Sequence, residues 1–391
     1  MTSQTRRAPH VSPAPHVSPA PHVSAAPHVS PGIVVTGVGL ALPGADTPQE
    51  LLRATGEFAG DRPYEPFDTG ARIGRRGHRY KDRATQLALC AALDALRDAA
   101  LIPGDSEELT VPGGTVGVVA SSNLGNLDTA CLTAAAIAED SVAGLSPMGL
   151  PNASSNVVAS WAAIRFGLRG PNLMLCNGAT SGLDAVHWAA TLVAAGRVRR
   201  ALVIGVETRN AVVEGLVSGS ADGSAEDLLL DGAAALVVEG AAWARDRGAE
   251  PAAVLGRYER RAGLTACVRT LLPEDATPGV WFTPQGYGTP RAASAAPGAT
   301  SASDPAPAPA LVPDNVPRHD LTAAFGRASG ALGVLQCAAA VGWLGVAGGG
   351  PGAGDALVTS GDDTTDAVAA LLLGPPTRLA ADPRQPAGAA A

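Results

Sequence analysis

Residues 170–184 read GPNLMLCNGATSGLD, and this stretch decides the fold. The short apolar run 173–176 predicts a buried strand. Asn177 and Gly178 interrupt it, and helical spacing then runs from Thr180 to Ala195, with Gly196 as its stop. The peptide therefore goes strand, turn, helix. Ala179 sits at the turn, where the partial positive charge of a helix N-terminus would favour thiolate in a cysteine. A methyl group stands there instead, with no reactive atom.

Working outward, apolar and β-branched runs predict buried strands at 33–40 (IVVTGVGL), 115–121 (TVGVVAS), 201–206, 233–239, 356–359 and 367–373. Helical spacing covers 81–100, 150–168 and 332–344. Thr47-Pro48-Gln49-Glu50 supplies a cap, a first-turn proline and a capping-box glutamate for a short helix. Strands alternating with helices predict a layered α/β fold.

At 391 residues the chain predicts two or three units. Hydrophobic residues make up 46%, enough for a large interior, while charged residues are only 16%, which calls for an economical or partner-covered surface. A net charge of −8 with no basic block argues against nucleic acid. Lys81 is the only lysine. Cys90, Cys131, Cys176, Cys267 and Cys337 are dispersed and odd in number, which reads as buried thiols in a reducing cytoplasm and not as disulfides or a zinc site. No apolar run of roughly 18 to 20 residues is evident, and the N-terminus lacks the apolar core of a secretory signal. A cytoplasmic, soluble protein without a bound cofactor or metal is expected.

Within a tail over 1–31, residues 8–31 repeat APHVSP at period six, placing His10, His16, His22 and His28 in Pro-rich surroundings. Extended polyproline-like chain, at about three residues per turn, would stack these imidazoles on one side. A weak metal site is one reading. A disordered tail that cannot bury a core is the other, and it is preferred. The expected organisation is this tail, one half over 32–250, a second over 251–375 with an Ala/Pro/Ser-rich exposed insert at 287–317, and a frayed tail at 376–391.

From Ile33 onward the chain resembles the β-ketoacyl synthases of fatty-acid and type II polyketide systems, in the thiolase-fold superfamily. The residues carrying this are the opening VVTGVGLALPG, Pro151-Asn152, Ala163-Ile164-Arg165-Phe166-Gly167-Leu168, Gly170-Pro171-Asn172, Ser181-Gly182-Leu183-Asp184-Ala185 and LLLDGAAALVVEG at 228–240. The resemblance implies a thiolase-like α/β fold, αβαβα in five layers and two similar halves, and a dimer. It extends over about 220 residues; the second half matches weakly and is shortened between Tyr258 and Val280.

The family's Thr-Ala-Cys-Ala-Ser-Gly pattern falls on Asn177 to Gly182, with Ala179 at the nucleophile. Its two histidine motifs fall on 283–290 (TPQGYGTP), placing Gln285 at the first, and on 326–333 (GRASGALG), placing Arg327 at the second. Gln285 cannot accept a proton as a base, and Arg327 is permanently charged, though suited to binding a carboxylate or phosphate. The late aromatic gate expected after Thr359-Ser360-Gly361 is replaced by Asp362-Asp363-Thr364-Thr365-Asp366. Cys176 lies roughly 10 Å back along the strand at about 3.3 Å per residue and reads as a small buried hydrophobe. Thr180 and Ser181 read as structural. His187, about 12 Å into the helix, reads as packed or surface, His78 as part of an Arg-rich solvated or partner-facing loop, and His319 as without a family role.

The catalytic set is thus degenerate at Ala179, Gln285 and Arg327. The expectation is a pseudoenzyme like the chain-length factors of type II polyketide synthases: a heterodimer with an active ketosynthase, reaching the acyl carrier protein through that partner. Two alternatives stand beside it. One is a divergent acyltransferase or hydrolase on carrier-protein thioesters using Cys176, Ser181 or Arg327. The other is a stand-alone binding module.

Overall fold

The structure, a computed structural model, describes residues 32–55, 65–219, 228–273, 276–287, 311–346, 354–362 and 367–381. The histidine repeat, most of the 287–317 insert, Asp363 to Asp366 and residues 382–391 lie outside the described residues.

The first five strands are β1 (Ile33–Ala41), β2 (Val116–Ser121), β3 (Asn172–Leu175), β4 (Arg200–Glu207) and β5 (Gly232–Gly240). They lie in the order β3-β2-β4-β5-β1, the first three parallel to one another and the last two alternating in direction. The next five are β6 (Ala253–Arg261), β7 (Val280–Phe282), β8 (Arg318–His319), β9 (Ala356–Ser360) and β10 (Val368–Gly374). They continue as β6-β10-β9-β7-β8 with the same pattern of parallel and antiparallel pairs. The two five-stranded sets share one topology. They meet through β1 and β6, at Val34↔Val254 and Val35↔Ala253.

Eleven helices among the described residues complete the layers: α1 (Pro48–Ala54), α2 (Thr69–Ile73), α3 (Arg83–Asp98), α4 (Leu127–Asp140), α5 (Val157–Phe166), α6 (Ser181–Ala194), α7 (Ala211–Ser218), α8 (Ala241–Asp246), α9 (Leu264–Leu271), α10 (Leu321–Phe325) and α11 (Leu332–Val346). Side chains alternate across each strand, so each sheet feeds two cores. Val119, Val203 and Leu236 face a central core with Val358 and Leu371 of the other sheet. Val118, Leu202 and Val237 face an outer core under α3 and α5. Leu357, Val368 and Leu372 face a second outer core with α9. The result is helix, sheet, helix, sheet, helix.

The middle layer is α6 and α11, and two glycines let them touch. A Cβ on Gly182 would meet the Gly333 nitrogen at 2.7 Å, and one on Gly333 the Leu183 nitrogen at 2.4 Å. Twelve residues of α11 are buried, and each large aliphatic side chain among them contributes about 1.5–3 kcal/mol.

Several boundaries differ from the sequence expectation. The helix predicted over 150–168 is two pieces, a 3-10 turn at Leu150–Ala153 and then α5. Between them Ser154 Oγ lies 2.6 Å from Asn156 Oδ1, a local side-chain bond that competes with helix. α3 starts two residues later than predicted because Asp82 caps it, accepting from Thr85 N at 2.6 Å. The capping box at Thr47 and Glu50 forms as expected. Contrary to the expectation of no long apolar run, Ser329–Val346 is 18 residues long and apolar enough to span a bilayer; 78% of that window is buried. At the end of the insert, Val312 and Val316 pack with Trp281 and Leu264. Beyond Gly374, Pro376–Ala381 forms a further 3-10 turn, and Leu379 packs near Val34 and Val254.

Candidate functional site

The strand-to-helix elbow at 176–181 is built where the carboxyl ends of the strands of both sheets converge. β3 ends at Leu175, whose carbonyl accepts from Ser122 N at 3.2 Å. Gly178 then takes φ +86°, a left-handed conformation suited to glycine. A 3-10 turn over Gly178–Thr180 leads into α6. Asn123, just past β2, pins the turn: its Nδ2 donates to Gly178 O and to Ser329 Oγ, both at 2.9 Å, while its Oδ1 accepts from Gly178 N at 3.3 Å. Ser329 belongs to the 326–333 motif, so one side chain ties the two motifs together. From the other sheet, Ser360 Oγ at the end of β9 donates to the Ala179 carbonyl.

Behind the turn sits Asp184. It accepts from Thr180 Oγ1 at 2.8 Å, from Asn177 Nδ2 and from the Tyr258 hydroxyl, with Arg260 Nε 3.7 Å away. Burial, then the Asp184 charge, holds the Tyr258 phenol well above its ordinary range. His187 stacks on Tyr258 with ring centroids 4.2 Å apart, and desolvation pushes its pKa down. Glu207, at the end of β4 and 3% exposed, accepts from Asn123 N (2.7 Å), Leu124 N (3.0 Å), Gly330 N (3.0 Å) and Ser122 Oγ (3.2 Å). Burial raises its pKa to about 7 against the pull of those donors.

Each residue singled out from sequence can now be placed. Ala179 occupies the elbow, half-buried, with its carbonyl held by Ser360. Thr180 and Ser181 are buried, and their hydroxyls serve the turn; Ser181 Oγ accepts from Asn177 N at 2.8 Å and lies 2.8 Å from Gly178 O. Gln285 sits half-buried in the turn after β7, closed by Tyr287 N to Pro284 O at 3.1 Å. β7 runs parallel beside β9, so Gln285 and Ser360 lie at the same sheet end. Arg327 is fixed by its main chain: its N donates to Leu228 O at 2.7 Å and its O accepts from Leu230 N at 3.1 Å.

Two expectations are overturned. Cys176 is exposed, as is Cys131, so the thiols are not all buried. Cys176 lies just past the end of β3 and lines a cavity of about 170 Å³ with Ser122, Asn123, Asn126, Ser155 and Met174. Burial and the Glu207 charge raise its thiol pKa, the opposite of nucleophile activation. His78 is 7% exposed, not solvated, because its loop is fastened by Gln86 Nε2 to Lys81 O (2.9 Å) and by Asn152 Nδ2 to Tyr80 O. His319 is held by Thr55 Oγ1 at 2.8 Å and stacks on Phe282. Among the described residues, no group of three or more His, Cys, Asp or Glu side chains is arranged to hold a metal.

Asn123, Glu207 and Tyr258 were not found from sequence. Glu207 carried the one available signal, a carboxylate ending the apolar run ALVIGVE. The assembled site has a helix N-terminus, a methyl group, a thiol with a raised pKa and a network of satisfied hydrogen bonds. Among the described residues no thiol of the site is hydrogen-bonded to a base, and the two aliphatic hydroxyls of the site that donate to carboxylates, Thr180 to Asp184 and Ser122 to Glu207, are buried in the turns.

Comparison with known proteins agrees with this geometry. The Beta-ketoacyl synthase, N-terminal domain, matches residues 62–224. The chain is 28% identical over 195 residues to a 3-oxoacyl-[acyl-carrier-protein] synthase 2 of Vibrio harveyi, covering 45% of each chain, so it spans under half the length of that relative. Among solved structures it is similar to the ishigamide ketosynthase/chain length factor, with TM-score 0.66 and 25% identity over 88% of this chain and 99% of that one. It also shares the fold of a type II PKS ketosynthase in complex with its acyl-carrier protein, with TM-score 0.64 and 14% identity over 88% of this chain and 99% of that one. A repeated thiolase-like sheet, an elbow at the expected residues and these matches lead to one conclusion: residues 62–224 match a β-ketoacyl synthase N-terminal domain, and the chain as a whole resembles a type II polyketide synthase ketosynthase/chain length factor.

Proposed function

We propose that this chain is a non-catalytic ketosynthase-like subunit, a chain-length factor that pairs with an active β-ketoacyl synthase in polyketide or fatty acyl chain assembly. The observation that carries the reading is Ala179: a methyl group stands at the elbow where the family places its nucleophile, and acyl transfer has no atom on which to begin. Gln285 and Arg327 at the family's histidine positions remove the proton acceptors as well. The acyl carrier protein is engaged through the partner, and the complex is soluble and cytoplasmic. The repeated strand order supports a division into halves at 32–250 and 251–375.

The surface supports a heterodimer. β3 is hydrogen-bonded only to β2 among the described strands, so its other edge is unpaired. An open strand edge invites pairing. Ile164 on α5 (69% exposed) and Trp188 on α6 (48% exposed) belong to the two helices that pack on β3, and α4 adds Leu132. Obligate complexes bury about 2,000–5,000 Å², which suits a chain with few surface charges.

Co-expression with a cysteine-bearing ketosynthase is the test. The reading expects a stable one-to-one complex that Ile164→Asp with Trp188→Asp disrupts. A stable monomer that ignores the ketosynthase would instead favour a stand-alone module.

A further inference from the structure

The second feature that stands out is the Glu207 carboxylate. Its donors come from two separate turns: Asn123 N and Leu124 N on the loop after β2, and Gly330 N on the 3-10 turn Ser329–Ala331 before α11. No side chain fits between these turns. A Cβ on Gly330 would sit 2.9 Å from both Asn123 N and Glu207 Oε1. The same Asn123 whose amide is held by Glu207 uses its side chain to grip Gly178 and Ser329. Releasing the carboxylate therefore releases the elbow turn, the second motif and the wall of the cavity lined by Ser122 and Asn123 together.

We propose that Glu207 is a proton-operated clamp that couples the elbow to the second half of the molecule and closes the cavity beside Cys176. Among the described residues no cation forms a salt bridge with it. Cys176 on the β3 side feels its charge. Arg209, two residues on, is bonded to Glu214 at 2.8 Å. Asp231, flanking the facing strand β5, is paired with Arg83 at 2.8 Å. Arg327, three residues before Gly330, is engaged with Leu228 and Leu230 through its main chain. Asn123, Leu124, Gly330 and Ser122 offer neutral dipoles.

The direction follows from linkage. In the closed form Glu207 is desolvated and titrates at about 7, whereas a hydrated, open form has the ordinary value of 4.5. Below 4.5 both forms are protonated and pH does nothing. Between 4.5 and 7 the closed form holds its proton and the open form releases it, so opening grows with pH. Above 7 both are charged and the effect levels off at about 300-fold, the ratio of the two acid constants.

Hydrogen exchange on the full chain, corrected for intrinsic rates, reads this directly. Protection of the Asn123, Leu124 and Gly330 amides should fall by about 70-fold between pH 5 and 8, and Glu207→Gln should remove that fall. Protection that does not change with pH in the wild type, or a fall that persists in Glu207→Gln, overturns the proposal. Should the variant not fold, infrared spectra of the wild type with 13C-labelled glutamate decide the matter. A protonated carboxyl band vanishing near pH 7 supports the clamp, and complete ionisation by pH 6 sinks it.

Discussion

Replacing Gly333 by alanine puts the contact between the two central helices to a test whose sign is diagnostic. An alanine Cβ there would lie 2.4 Å from Leu183 N, 2.7 Å from Leu183 Cγ and 2.8 Å from Gly182 C, where ordinary contact begins at 3.4 Å. Two of these three are backbone atoms of α6, so the helices must separate by about 1 Å or distort. Overpacking of this kind typically destabilises by about 1–3 kcal/mol. Alanine also gains about 1 kcal/mol over glycine in a helix interior, which leaves a net loss of up to about 2 kcal/mol. Gly215→Ala is the internal control: it lies exposed in α7, with nothing within 4 Å of an added methyl, so it should gain up to about 1 kcal/mol. Urea unfolding followed by tryptophan fluorescence supplies the comparison, and only the order of midpoints is needed: Gly333→Ala below wild type, Gly215→Ala above it. A Gly333→Ala midpoint raised above wild type, as in the control, would refute the close crossing of α6 and α11.

Three further outcomes are expected. Glu239 is fully buried between Arg200, Arg247 and Thr36, so Glu239→Gln should destabilise by about 3–5 kcal/mol in the same assay, because two arginines lose their counter-charge. Burial opposes ionisation of Glu239, but the bonds from Arg247 and Thr36 outweigh it and lower its pKa; its stabilisation is present above pH 4.5 and is lost as pH falls through the lowered folded value, seen as an acid-side drop in the wild-type midpoint that Glu239→Gln lacks. Ala179→Cys should place a reactive thiol at the N-terminal turn of α6, alkylated by iodoacetamide at pH 7 faster than Cys176 when peptides are quantified by mass spectrometry, yet condensation with malonyl donors should stay absent because Gln285 and Arg327 cannot accept a proton.

Most of the layered fold was legible because its strands are continuous apolar runs. Residues 201–206 and 233–239 read correctly since β4 and β5 are buried on both faces. The elbow was legible for another reason, the left-handed glycine and helix start that punctuate 177–181. What escaped depended on long-range partners. β6 carries charged residues from Arg257 to Arg261, with no apolar run at its far end, and is fixed as a strand by pairing with β10. α4 has no buried side chain at all, so no hydrophobic stripe marked it. The exposure of Cys176 was missed because the run 173–176 ends one residue beyond β3, at the edge of the sheet, and an edge strand has the same sequence surroundings as a central one. Asn123 and Glu207 meet Gly330 across more than 120 positions of chain, which spacing along a sequence does not reveal.

Intact-mass analysis tests the central claim most directly. The purified chain, alone and then with a cysteine-bearing ketosynthase, is incubated with acyl carrier protein loaded with an acyl thioester. A missing nucleophile predicts that this chain keeps its unmodified mass in both mixtures while the ketosynthase gains the acyl group. A stable acyl adduct on this chain alone, mapped to Cys176, Ser181 or any other side chain, would contradict the account.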